Sequence, residues 1–164
     1  MRKITYLIYF LIAGLVSACS SDKSHDVAPE PDIKSVAGKY QLTPDESARR
    51  NESRIWIITQ IDNSHVDIKE NLTADLNSKK PKITSRTFKN VLVLGLETSG
   101  SVLKIDSDFE DSEFLVNGKS NYKIAGNCTV QTNTLIATLS FRDLSIKENN
   151  PQPHYELMEF EKIK

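Results

Sequence analysis

The densest run of chemistry-bearing side chains in this 164-residue chain is Asp106-Ser107-Asp108-Phe109-Glu110-Asp111-Ser112-Glu113. Calcium takes several carboxylate oxygens from one loop, and Asp106, Asp108 and Glu110 alternate as the start of a calcium-binding loop does. Asp111 stands where such a loop needs glycine for its sharp turn. The run therefore reads as a solvated acidic loop between two strands, with Asp106, Asp108 and Glu110 as weak metal-ligand candidates. Carboxylate pairs for glycoside hydrolysis sit apart on a cleft floor, unlike this cluster. The histidines, His25, His65 and His154, are widely separated in the chain. Cys19 and Cys128 are too few for a zinc site or a disulfide scaffold. Cys128 has no base or cation beside it in Gly126–Val130, so it reads as a buried structural thiol. No nucleophile elbow, zinc helix, phosphate loop or dinucleotide fingerprint is present. The expectation is a protein without catalysis and without a cofactor.

Aromatic side chains stack on apolar ligands, and the candidates for that role are Tyr40, Trp56, Phe88, Tyr122 and Phe141. The same residues would equally serve as plain core. Trp56 lies in Arg54-Ile55-Trp56-Ile57-Ile58, a strand apolar on both faces, which is either core on both sides or has one face against a cavity. Lysine and arginine number 21 against 22 aspartates and glutamates, for a formal net charge of −1. That balance removes the electrostatic case for binding nucleic acid.

The N-terminus carries an address. Arg2 and Lys3 precede an apolar run, and Ile4 to Ala18 would rise only about 22 Å as a helix, short of a bilayer core of about 30 Å. A charged start, a short apolar core and small residues before a cut site describe a secretory signal. Leu15-Val16-Ser17-Ala18-Cys19 resembles the bacterial lipobox. That resemblance implies cleavage between Ala18 and Cys19, diacylglycerol on the Cys19 sulfur and acylation of the new amino terminus. Ser20, rather than Asp, at the next position points to the outer membrane. The polar stretch Ser21–Asp26 resembles the tether of surface-exposed lipoproteins of Bacteroidota. The expected organisation is a signal peptide over 1–18, a lipidated flexible tether over 19–35 and one domain over 36–164.

The positions of all these side chains depend on short elements. Runs of alternating apolar and polar residues predict ten strands: 39–42, 54–62, 65–70, 83–89, 91–97, 101–105, 113–116, 121–130, 135–143 and 155–163. Asp62-Asn63-Ser64, Ser99-Gly100, Asn117-Gly118 and Thr132-Asn133 supply turn chemistry between them. Thr43-Pro44-Asp45-Glu46 forms a capping box with proline at the first helical position, predicting a short helix over 44–50. Short strands, hairpin turns and no crossover helix predict an all-β antiparallel meander. The meander either closes into a barrel of about eight strands or forms an antiparallel β-sandwich.

Val36-Ala37-Gly38-Lys39-Tyr40 resembles the Gly-x-Trp opening of lipocalins and other calycins, with Tyr40 in place of Trp. The order of lipobox, tether, Gly-x-Tyr strand and meander resembles small lipocalin-like lipoproteins of Bacteroidota. The resemblance implies a barrel whose 44–50 helix takes the place of the calycin lid. The expected function is binding of a small apolar or amphipathic molecule in the cavity of an envelope-anchored barrel. Its partners would then be the outer membrane, through lipid on Cys19, and that ligand. The alternative is a cell-surface β-sandwich module whose loops contact a protein or glycan.

Overall fold

A computed structural model describes residues 29–96, 100–114, 118–146 and 152–164. The lipobox, the tether's first residues and Asn117 lie outside them. In chain order the elements are α1 (Ile33–Val36), β1 (Gly38–Leu42), α2 (Pro44–Arg50), β2 (Glu52–Gln60), β3 (His65–Ala74), β4 (Lys82–Gly95), β5 (Ser101–Phe114), β6 (Gly118–Gln131), β7 (Thr134–Asp143) and β8 (His154–Ile163). Each strand pairs antiparallel with the next, and β8 returns to β1 through Lys39↔Ile163 and Leu42↔Phe160. The result is a closed eight-stranded up-and-down barrel, in which β4 and β5 pair only over Leu92–Gly95 and Ser101–Lys104. That closure decides against the sandwich.

Ten expected strands become eight by two fusions. The break expected at Asn90 is a bulge inside β4. Asn90 adopts a left-handed φ of 52°, its N–H donates to Asp67 Oδ1 at 2.9 Å, and the register with β3 shifts between Val66 and Ile68. An extra residue bends a strand there without ending it. The acidic run is likewise no loop, since Asp106, Asp108 and Glu110 lie within β5. Their spacing of two puts all three on the exposed outer face. Successive same-face residues stand about 6.6 Å apart along a strand. These carboxylates therefore cannot converge on one cation, and Asp106 instead pairs with Lys123 of β6 at 2.6 Å. Among the described residues no group of three histidine, cysteine or acidic side chains could hold a metal ion.

The helix expected at 44–50 is α2, within those bounds. Thr43 Oγ1 accepts from the Glu46 N–H, and Asn51 ends the helix in the left-handed conformation. Only half of the capping box forms. The Thr43 N–H donates to the Glu159 carbonyl, and the Glu46 carboxylate accepts from Arg49 and Arg50 instead.

One end of the barrel is plugged. The stretch expected to be tether contributes α1, whose Ile33 and Val36 are buried in the core. The ordered domain thus begins before residue 36. Tyr40 donates to the Val36 carbonyl at 3.0 Å. Lys162 Nζ lies 5.5 Å from the Tyr40 ring centre and donates to the Ser35 carbonyl at 2.6 Å. Gly38 leaves room for this lysine, because a Cβ there would meet Lys162 Cε at 2.6 Å. A cation over the first-strand aromatic thus comes from β8.

Burial pushes the Tyr40 hydroxyl from its ordinary 10.0 up to about 12. A raised folded value means the associated stability is complete below pH 10 and is lost as pH rises towards 12. The rise corresponds to about 2–3 kcal/mol. Urea unfolding of wild type between about pH 9 and about pH 11.5 should show this fall, and Tyr40→Phe should flatten it.

Candidate functional site

Inner and outer faces alternate along every strand, so the interior can be read off at period two. Near the plugged end the inner face is apolar. Trp56, Ile68, Phe88, Leu103, Ile124 and Phe160 are all fully buried there and at mid-barrel. Trp56 packs against Phe160 at 4.8 Å between ring centres and against Phe88 at 5.9 Å.

Towards the other end, the mouth, the same inner faces turn ionic. On β2 the inward residues run Ile58, Trp56, Arg54, Glu52, and on β3 Ile68 is followed by Glu70. Arg86 of β4 and Glu156 of β8 complete the group. Glu70 Oε2 accepts from Trp56 Nε1 at 2.7 Å, while Glu70 Oε1 pairs with Arg86 Nη2 at 2.6 Å. Arg54 lies 2.9 Å from Glu52, 3.6 Å from Glu70 and 3.6 Å from Glu156. Arg50 of α2 then reaches Glu156 at 3.1 Å and donates to the Leu157 carbonyl at 2.6 Å. Arg54, Arg86 and Arg50 thus face Glu52, Glu70 and Glu156, each charge beside an opposite one. Removing one partner of a buried ion pair leaves the other charge uncompensated.

The carboxylates do not titrate alike. Burial alone would raise Glu70, but Arg86 and Arg54 outweigh it and hold its carboxyl below the usual value. Burial raises Glu52; Arg54 opposes this, Glu156 adds to it, and the net shift is upward. For Arg54, burial disfavours the charge, yet Glu70, Glu52 and Glu156 together raise its pKa, so it stays a cation. Cys128 is fully buried, and burial pushes its thiol well up, which makes it an inert structural residue.

Aromatic rings adjoin this ionic floor. The Arg86 guanidinium carbon lies 5.6 to 5.8 Å from the ring centres of Phe88, Phe109 and Phe141. Phe109 contacts Phe88 edge-on at 5.5 Å and Tyr122 at 6.2 Å. Against this group lies a cavity of about 190 Å³, lined by Tyr122, Phe141, Arg142, Asp143, Ile146, Gln152 and His154. His154 also approaches Glu156, at 3.6 Å.

All five aromatics singled out in the sequence belong to the buried core, and of these Tyr122 and Phe141 also line this cavity. His65 opens β3 at the plugged end, so it cannot join His154 at the mouth. Sequence reasoning missed Arg54, Glu70, Arg86, Glu52 and Glu156. The signal that could have found them is the inverted alternation of Glu52–Ile58, where the charged positions share their phase with Trp56. Set against protein-family models, curated proteins and solved structures, the chain matches none of them, so its function rests on its own residues.

Proposed function

We propose that this protein is a lipid-anchored envelope protein that binds a small amphipathic molecule at the mouth of its barrel. The lipobox resemblance at Leu15–Cys19 supports the anchor. The observation that carries the binding reading is the mouth cavity walled by Tyr122 and Phe141, two aromatics on inner faces of adjacent strands. A ligand there would lay an apolar surface on those rings and turn a polar group towards His154 and the ionic floor. The cavity's 190 Å³ equals about six waters' share of liquid at ~30 Å³ each. Mid-barrel is filled by core side chains, so the ligand is compact or leaves part of itself outside.

Native mass spectrometry of the protein purified from the cells that make it tests this. A co-purifying small molecule of defined mass is the expected result. Phe141→Leu keeps most of the volume but removes the ring, and should weaken retention by about three- to tenfold. A protein that emerges empty would overturn the reading in favour of a surface module that contacts a protein or glycan.

A further inference from the structure

Ten large apolar side chains are exposed among the described residues, and six lie at the mouth end: Leu76, Ile83, Leu144, Ile146, Tyr155 and Leu157. Leu76 is in the β3–β4 connection, Leu144 and Ile146 are in the β7–β8 connection, and the other three open β4 and β8. Ile83 is 78% exposed and Tyr155 68%. Each of the six meets water over 42% or more of its surface. They mark an arc of the rim from β7–β8, past α2, to β3–β4. The arc is tied together, because the Leu76 N–H donates to the Asn51 carbonyl at the end of α2 and Arg50 holds α2 to β8.

Charge accompanies this arc. Residues 75–83 read Asp-Leu-Asn-Ser-Lys-Lys-Pro-Lys-Ile, placing three lysines and one aspartate beside Leu76 and Ile83. Lysines separate Leu76 from Ile83, Ser145 separates Leu144 from Ile146, and Glu156 separates Tyr155 from Leu157; side chains dispersed in this way do not make the contiguous close-packed patch that a protein interface needs. They suit a surface into which each can dip separately while lysines meet negative headgroups.

From this we infer that the barrel mouth docks onto the surface of an anionic lipid bilayer, bringing the cavity's opening to the headgroup layer. An amphipathic ligand could then pass between bilayer and cavity without crossing water. Docking itself requires no ligand, so it stands or fails separately from the cavity-binding reading.

The anchor expected at Cys19 is compatible with docking on the same bilayer. Strands of ten residues such as β8 span about 25 Å of barrel height at the usual tilt. The ten residue-to-residue steps from Cys19 to Pro29 can extend to about 33–36 Å, enough to return from the plugged end to the mouth.

All described core side chains lie between Ile33 and Phe160, and barrel closure is complete within residues 38–163, so residues 29–164 form a self-contained unit for the test. This unit, free of signal and acyl chains, is sedimented with vesicles of phosphatidylcholine alone or with about one-third phosphatidylglycerol. Binding is expected only to the anionic vesicles, weakening as salt rises. Leu76→Glu with Ile146→Glu should reduce it by about tenfold or more. Lys79→Gln with Lys80→Gln should also reduce it, by a smaller factor. Ile61→Glu with Leu94→Glu, exposed apolar sites at the plugged end, should leave it unchanged. Circular dichroism and urea unfolding confirm that each variant is folded. Absence of binding to anionic vesicles overturns the inference, as does an equal loss from the plugged-end pair.

Discussion

Glu70→Gln is expected to lower the free energy of unfolding by about 3–5 kcal/mol, read as a shifted urea midpoint at unchanged slope. Glu70 is 1% exposed and serves three partners, Trp56, Arg86 and Arg54. Without its charge, Arg54 is left with Glu52 and Glu156, and Arg86 loses the carboxylate that lies 2.6 Å from it. A neutral amide would accept one of those hydrogen bonds and compensate neither cation.

The pH dependence should change with it. Glu70 is held below its ordinary value in the fold, so its stabilisation is present above the ordinary carboxylate range and disappears as pH falls through the folded value. Glu70→Gln should therefore remove part of the acid-side decline. Glu52 has the opposite sign. Its raised value means stability is complete at low pH and diminishes as Glu52 ionises on the way up. Glu52→Gln is thus expected to cost far less than Glu70→Gln near neutrality. Equal costs for the two would show that the floor does not depend on Glu70 as its central anion.

Gly126→Ala should be comparably damaging, about 3–5 kcal/mol, through the backbone rather than charge. Gly126 has a φ of +156°, and a Cβ there would lie 2.1 Å from the Thr138 carbonyl oxygen and 2.9 Å from Leu139 Cα. Neither atom is the free end of a side chain, so β6 and β7 would have to part. Gly126 pairs with Leu139, two positions from the Ile124↔Phe141 pair and four from Tyr122↔Asp143. Separation there would displace both aromatic walls of the mouth cavity. Urea unfolding reads the stability loss, and native mass spectrometry reads whether a retained ligand is lost with it. A variant as stable as wild type would mean that the two strands approach less closely at this point.

Most of the meander was legible because inward and outward residues differ in polarity wherever the inner face meets the apolar core. The runs at 121–130, 135–143 and 155–163 alternate cleanly and form β6, β7 and β8 with ends shifted by a few residues. Local chemistry also sufficed for α2, where Thr43 and Pro44 determine the helix start without outside help. Where local chemistry was ambiguous, expectation went astray. The strands expected at 83–89 and 91–97 leave a break at Asn90, yet its left-handed backbone is absorbed in a bulge. Asp106–Glu110 reads as a solvated loop, yet β6 supplies a pairing partner and Lys123, which make it a strand with an acidic outer face.

The sequence by itself determined an antiparallel all-β chain with one short capped helix, because period-two alternation and capping hydroxyls act over a few residues. Closure of the barrel was decided only in three dimensions, since it depends on β1 finding β8 more than a hundred residues away. The same holds for the ionic floor. Arg54, Glu70, Arg86 and Glu156 come from four strands, and each alone reads as an ordinary surface charge. Only the tertiary register turns them inward together, where loss of solvent makes their mutual neutralisation a condition of folding.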